Sequence, residues 1–260
     1  MKTLSAKSII VHRSRRQVLG TIDLTFEPGR VTAVLGPNGA GKSTLLSCLA
    51  GLLKPSQGHI ELGGQPLPGF SPRQRAREIA FLPQMPEIAW PIDVAALVGL
   101  ARIPFRGVSS TSEDQRAVQQ AMERTDVAAW AGRDVTTLSG GERARVLLAR
   151  LLAGEPDWVL ADEPFAGLDP SHQFEAADLL RSIASKGNGV VLTIHDLSLA
   201  ARIADRVVIL AAGQVVADGT PAEALSPDTL RKVYGIEVEW LAGQGEGSRP
   251  LIAIRGRHVH

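Results

Sequence analysis

Cysteine is nearly absent from this 260-residue chain. Cys48 stands alone, so no disulfide can form within the chain, and the usage suits a reducing compartment. Cys48 follows an apolar pair in an expected helix, which favours a small buried hydrophobe over a reactive thiol. An excess of charge of either sign is also missing. Twenty-eight Lys and Arg stand against 27 Asp and Glu, for a net charge of +1. Bulk nucleic-acid binding therefore has no electrostatic support, and no nucleic-acid partner is expected. No apolar run approaches the roughly 20 residues of a membrane span. The most apolar region, 189–212, is broken by His195, Asp196, Arg202, Asp205 and Arg206. The amino end, MKTLSAKSIIVHRSRR, lacks a signal peptide's apolar core of about 7–15 residues. A soluble protein is expected, with any membrane role peripheral. Internal repeats and low-complexity blocks are lacking too.

What remains is ordinary globular material, 44% hydrophobic and 21% charged. Its length suits one large domain, or a domain carrying a subdomain. Residues 4–11, 18–26 and 31–36 have strand character, and GPNGAGKST then leads into the apolar helix STLLSCLAGLL, stopped by Lys54-Pro55. HIELGGQPL reads as a hairpin strand with its turn, Pro72 to Glu78 as a polar helix, and IAFLPQ as a strand. The middle changes character, with helices expected at 92–102, 113–131 and from Ser139 to Gly154. WVLAD at 158–162 and GVVLTIH at 189–195 are short apolar runs of the buried parallel-strand kind, separated by a helix from about Pro170 to Lys186. A helix at 197–204 and the strands RVVILAAG and QVVADG follow. From Glu237 onward either a small strand pair or a loose tail fits. Strand–loop–helix, an all-helical insertion and then βαβ again give an α/β core with a helical subdomain.

The chemistry begins at Gly36-Pro37-Asn38-Gly39-Ala40-Gly41-Lys42-Ser43-Thr44, which fits G-x-x-x-x-G-K-[ST] between an expected strand and helix. Glycines let backbone wrap phosphates, and the helix start that follows favours their charge. Lys42 would reach the β- and γ-phosphates of a nucleotide, and Ser43 would ligate Mg²⁺. The strand WVLAD ends in Asp162 and Glu163. Asp162 is placed to hold Mg²⁺ directly or through water, and Glu163 to take a proton from an attacking water. His195 ends the next apolar run and points to the same carboxyl rim of the sheet, and Gln84 closes FLPQ likewise.

Together these residues resemble the nucleotide-binding subunit of ABC transporters over about residues 4–236. GPNGAGKST resembles that family's Walker A and WVLADEP its Walker B. Residues 138–142, LSGGE, resemble its signature, and GLD at 167–169 its D-loop with Asp169. Gln84 resembles the Q-loop glutamine, a further Mg²⁺ ligand, and His195 the switch histidine. The resemblance implies a RecA-like P-loop core with a mainly parallel sheet and a small antiparallel β subdomain over 1–84 and 156–225. It also implies a helical subdomain at 85–155 and leaves 237–260 as a C-terminal extension. It implies ATP and Mg²⁺ as cofactors and a head-to-tail homodimer, in which Ser139, Gly140 and Gly141 of one chain meet the γ-phosphate held by Lys42 of the other. The family's adenine-stacking aromatic aligns best with His12. Where the signature usually ends in Gln, this chain has Glu142.

Between Gln84 and Ser139 there is no room for the long coiled-coil insertions of the chromosome-maintenance and DNA-repair members. The run Val94-Ala-Ala-Leu-Val-Gly-Leu-Ala-Arg102-Ile-Pro104 resembles "VxxLVxLGRxP" of the iron-siderophore, haem and vitamin B12 importer ATPases, and Leu230-Arg-Lys-Val-Tyr234-Gly235 resembles their "LxxVYG". Ala101 replaces a typical Gly there, and Ile103 a typical aromatic. Such a resemblance implies a subunit at the cytoplasmic face of the cell membrane. It would power a separate permease docked on the helical subdomain and served by a substrate-binding protein. Ile88, Trp90, Val94 and Leu97 are candidates for the docking groove; Val94 and Leu97 fit a subdomain core equally well. A second reading is a soluble ABC ATPase in Fe–S cluster assembly or nucleic-acid maintenance, or an ABC ATPase for another substrate.

The stretch LSGGERARV poses a separate question. Ser139 and Glu142 are spaced as a capping box. That accounts for the helix start but not for two adjacent glycines, each a poor helix former.

Overall fold

From the amino end, β1 (Leu4–Arg13) and β2 (Arg16–Phe26) form an antiparallel hairpin, and β3 (Val31–Leu35) leads through the Gly-rich loop into α1 (Lys42–Leu49). Next come β4 (Gln57–Leu62), the two-residue β5 (Gln65–Pro66), α2 (Pro72–Glu78) and β6 (Ile79–Leu82). The helical stretch holds α3 (Val94–Gly99), α4 (Thr111–Arg124) and α5 (Gly140–Ala153). Then β7 (Trp158–Asp162), α6 (Pro170–Ser185), β8 (Gly189–Thr193), α7 (Leu197–Ile203), β9 (Arg206–Ala211) and β10 (Gln214–Gly219) complete the core. The chain closes with α8 (Pro221–Ala224), α9 (Pro227–Tyr234), β11 (Ile236–Leu241) and β12 (Leu251–Arg257). This computed structural model describes residues 1–14, 16–84, 88, 90–241 and 251–257.

The central sheet has the order β10-β9-β3-β8-β7-β6, parallel throughout except for β10. Its inner strands are apolar at nearly every position because both faces are covered. Alternate residues divide between two cores. Val31, Ala33, Val159, Ala161, Val190 and Leu192 face one, while Val34, Trp158, Leu160 and Val191 face the other. The first core also takes in α5, α6 and α7, and the second takes in α1 and the antiparallel sheet β2-β1-β4-β5.

The helical insertion differs in detail from the sequence expectation. The expected helix at 92–102 is α-helical only to Gly99 and tightens into 3-10 turns over Leu100–Phe105, where Pro104 removes a backbone donor. The expected helix at 113–131 starts at Thr111, behind a Ser110–Glu113 capping box, and stops at Arg124. There Thr125 Oγ1 turns back to the Ala121 carbonyl at 3.1 Å and Asp126 takes a left-handed φ of +54°. The closing segment is a strand pair, β11 against β12, and Ile252 lies in the first core. Residues 242–250 and 258–260 of the expected C-terminal extension lie outside the described residues.

Candidate active site

At the carboxyl rim of the central sheet, the loop after β3 is shaped by glycine. Gly36 has φ +148° and a Cβ there would sit 2.1 Å from the Leu210 carbonyl oxygen; Gly41 has φ +103° and would drive a Cβ to 2.4 Å from Leu19 Cδ2. Both positions exclude any side chain, which locks the loop against β9 on one side and β2 on the other. Pro37, Asn38 and Gly39 arch over this base, with Asn38 and Gly39 exposed, and Ala40 tucks into the second core. Gly41 caps α1, whose first turn contains no carboxylate. The helix therefore directs its unpaired N–H groups and positive dipole end at the loop, ready for an anion.

Lys42 is buried, and its Nζ donates to the carbonyl oxygens of Gly36 at 2.7 Å and Pro37 at 3.2 Å. Burial lowers its pKa, opposed by the carboxylates of Glu163 and Asp162, so all three groups share one electrostatic site. Ser43 is exposed and its hydroxyl can face a ligand, whereas Thr44 is buried.

Asp162 ends β7 and is 5% exposed. The sheet does not place β7 next to β3; β8 lies between them, and Asp162 stands in register with Thr193 of that strand. Thr193 Oγ1 donates to Asp162 Oδ1 at 2.5 Å and accepts the Glu163 N–H at 2.8 Å. This one hydroxyl fixes both acids, and sequence reasoning missed it. Its only signal was a polar residue ending the apolar run GVVLT, which means little until the strand order is known. Glu163 has a φ of +52°, an uncommon value for a residue with a Cβ. The turn aims its carboxylate at His195, whose Nε2 lies 2.5 Å from Glu163 Oε1. His195 sits two residues beyond the end of β8 rather than on it, and is exposed. Glu163, Thr193, His195 and Asp196 line a cavity of about 180 Å³. Gln84 lies two residues past β6 and is exposed.

Three other sequence candidates lie on separate elements. Ser139 caps α5: its Oγ accepts the Glu142 N–H at 3.3 Å, and Glu142 Oε2 accepts the Ser139 N–H at 2.8 Å. Ser139 and Gly140 are exposed and Gly141 is half-buried. A Cβ on Gly140 would come no closer than 3.9 Å to its neighbours and one on Gly141 no closer than 3.7 Å, and neither residue has a positive φ. Nothing among the described residues requires glycine at either position. Asp169 caps α6, accepting the His172 N–H at 3.0 Å and meeting His172 Nδ1 at 2.7 Å. Bonds from His172 and Ser171 hold its carboxyl down at about 2. His12 is exposed and pairs with Gln17 in the β1–β2 hairpin, one residue before Val18, whose carbonyl lies beside Gly41.

The docking candidates separate. Trp90 is 62% exposed and Ile88 packs partly against the core, but Val94 and Leu97 are buried, at 0% and 4%. Those two belong to the interior of the helical layer and present no docking surface. Tyr234, from the LxxVYG run, is drawn under the phosphate loop: burial pushes its hydroxyl up to about 12, and the Gly36 backbone amide opposes that rise.

A glycine-bound phosphate loop at the end of one parallel strand, with paired acids at the rim two strands away, defines a P-loop nucleoside triphosphatase. The family model for ABC transporters matches residues 19–166. The chain is 41% identical over 261 residues to the hemin import ATP-binding protein HmuV of Bordetella avium, covering 97% of this chain and all of that one. It is 42% identical over 265 residues to the protein of the same name from Myxococcus xanthus, covering 98% of each. Among solved structures it is similar to a metal-chelate type ABC transporter in an inward-facing conformation, with TM-score 0.81, 26% identity and 98% of each chain covered. It is also similar to the dimeric ABC transporter cassette MJ0796, with TM-score 0.76 and 25% identity over 84% of this chain and 98% of that one. The chain belongs to the ABC transporter family and is an ATP-binding, ATP-hydrolysing subunit.

Proposed function

We propose that this ATPase powers import of haem, or of a related iron chelate or corrinoid, through a separate membrane permease. The full-length match to hemin import ATP-binding proteins carries the substrate class. Among the described residues no helix is long and apolar enough to cross a membrane. This suits a peripheral subunit at the cytoplasmic face, whose permease receives cargo from a binding protein. Deleting the gene and measuring growth on haem, ferric siderophores and cobalamin tests this. Loss of haem use is the expected result; unimpaired growth on all three would overturn the reading.

Within the site, Lys42 holds the β- and γ-phosphates once it leaves the Gly36 and Pro37 carbonyls. The donors Ser43 Oγ, Gln84 and the second carboxylate oxygen of Asp162 are all hard oxygens, a set that fits Mg²⁺ alongside phosphate oxygens. The metal's contribution when bound is to neutralise charge on those oxygens. Glu163 accepts a proton from the attacking water, and His195, on the same carboxylate, orients it. The exposed, uncrowded glycines of the signature support a composite site, with Ser139, Gly140 and Gly141 offered to a second copy's γ-phosphate, Asp169 in the D-loop run, and His12 as the candidate to stack on the adenine. Ser139 can cap its own helix and still serve there. Its oxygen accepts from Glu142 N–H, which leaves the hydroxyl hydrogen to donate outward.

Permease docking on the helical layer moves from Val94 and Leu97 to a groove of about 440 Å³ beside them, lined by Phe81, Pro83, Leu100, Pro104, Leu147 and Arg150. It follows β6, the edge strand of the central sheet. Arg150 is exposed at this groove and has no hydrogen-bond or ionic partner among the described residues. An apolar permease helix carrying an acidic residue matches that lining.

A further inference from the structure

Glu142 sits in the first turn of α5, the helix start that the composite-site reading offers to a partner's γ-phosphate. A carboxylate there suits the helix dipole but would repel an incoming phosphate. Both of its oxygens are taken. Oε2 accepts the Ser139 N–H at 2.8 Å, and Oε1 accepts Arg133 Nη1 at 3.1 Å. Those bonds, the Ser139 contribution first and Arg133 after it, hold the Glu142 carboxyl below the usual range, so the charge persists at neutral pH.

Arg133 is itself supported. Its guanidinium lies 5.7 Å from the centre of the Trp130 ring, and Arg145 lies over the same indole at 4.6 Å. Arg145 in turn pairs with Asp126 at 3.3 Å. The indole's electron-rich ring attracts both guanidinium groups, which adds to the interactions that hold Arg133 in place. The backbone adds to this, because Arg133 O accepts the Val94 N–H at 3.0 Å, tying the segment to the start of α3. The helical layer thus presents one fixed positive charge to the one acid at the signature.

We propose that Arg133 is a positioning residue of the composite ATP site: it neutralises Glu142 and holds its carboxylate against the Ser139 backbone, so that the signature helix meets the partner's γ-phosphate without an opposing charge. The inference rests on the composite-site reading. Its chemistry is specific to a chain with Glu at this position, since a neutral Gln would need no counter-charge.

The test uses the full chain with Glu163→Gln added to stop turnover, and reads the ATP concentration giving half-maximal dimer by analytical ultracentrifugation. Arg133→Ala should raise that concentration about tenfold or more, the effect of an uncompensated like charge at an interface. Arg133→Lys should restore most of the loss, and Arg133→Ala with Glu142→Gln should return to within about threefold of the parent. A purely structural role, through packing on Trp130, would leave the double variant as impaired as Arg133→Ala. That result, or an Arg133→Ala shift of less than about twofold, overturns the proposal. Ser139→Arg, in the same assay, checks the underlying reading independently. If it dimerises normally the composite site is wrong; if it fails to dimerise while Arg133→Ala behaves as parent, only the Arg133 inference falls.

Discussion

Replacing Thr193 with Val removes one hydroxyl and little volume, and the structure assigns that hydroxyl two duties. It donates to the buried Asp162 carboxylate and receives the Glu163 N–H. A hydrogen bond to a charged group is worth about 1.5–3 kcal/mol, and an unpaired buried N–H costs about 1–3 kcal/mol. Some relaxation is expected, so Thr193→Val should destabilise the protein by about 3 kcal/mol, or about 6–12 °C in Tm for a chain of this size. The catalytic effect follows from the left-handed turn at Glu163, which has φ +52°. Backbone strain of this kind persists only when its surroundings impose it. Releasing it shifts the carboxylate, and kcat should fall about 10- to 100-fold with KM for ATP nearly unchanged. Thr193→Ser keeps the hydroxyl and should retain most of both properties. Thermal unfolding and steady-state ATP hydrolysis of the three proteins are the assays. A Thr193→Val protein with Tm within about 2 °C and kcat within about twofold of the parent would refute the reasoning.

The other predictions concern the same rim. Lys42→Ala should weaken ATP binding by at least about tenfold, measured by calorimetry, since it removes charge-assisted bonds to phosphate; unchanged affinity would remove Lys42 from that role. Glu163→Gln should bind ATP normally, lose at least about 100-fold in kcat and accumulate as an ATP-bound dimer; near-normal turnover would take the base role away from it. Asp169, held at about 2 against an ordinary 3.8, contributes stability that is present above pH 3.8 and lost as pH falls through 2. The Tm gap between the parent and Asp169→Ala should therefore be constant near neutrality and close on acidification across that window. A gap unchanged at pH 2 would mean that the carboxylate is not its source. Arg150→Glu should reduce co-purification with the permease, and full retention would move the docking site elsewhere.

Much of the site was legible because its chemistry is written in short contiguous runs. The loop from Gly36 to Thr44 needs its glycines within a few residues of its lysine, so local sequence carries it. Continuous apolar runs likewise announced β3, β7, β8 and β9, because strands buried on both faces have no polar side to show. Relations set by strand order were not legible. Nothing in WVLADE or GVVLTIH says that β8 lies between β3 and β7, and Thr193 acquires meaning only when that order puts it opposite Asp162. Helix ends in the insertion were misplaced because local events decided them, such as the left-handed Asp126 and the 3-10 turns before Phe105. Val94 and Leu97 show the limit of an apolar pattern. It says that a face is buried, without saying whether its own chain or a partner does the burying.

The tryptophans end up in surroundings that differ as much as four can. Trp158, 1% exposed, is fixed at the foot of the Asp162 strand with its Nε1 donating to the Lys2 carbonyl at 2.9 Å. Trp130 has the guanidinium groups of Arg133 and Arg145 over its ring, Trp90 is open to solvent beside the helical layer, and Trp240 is half-buried on the C-terminal hairpin. Indole emission shifts with polarity and with nearby charge, so the molecule carries its own set of optical gauges. Variants retaining one tryptophan at a time would separate in colour and quenching what happens at the Asp162 strand, beside α5, at the entrance to α3 and on the C-terminal hairpin, with no dye attached.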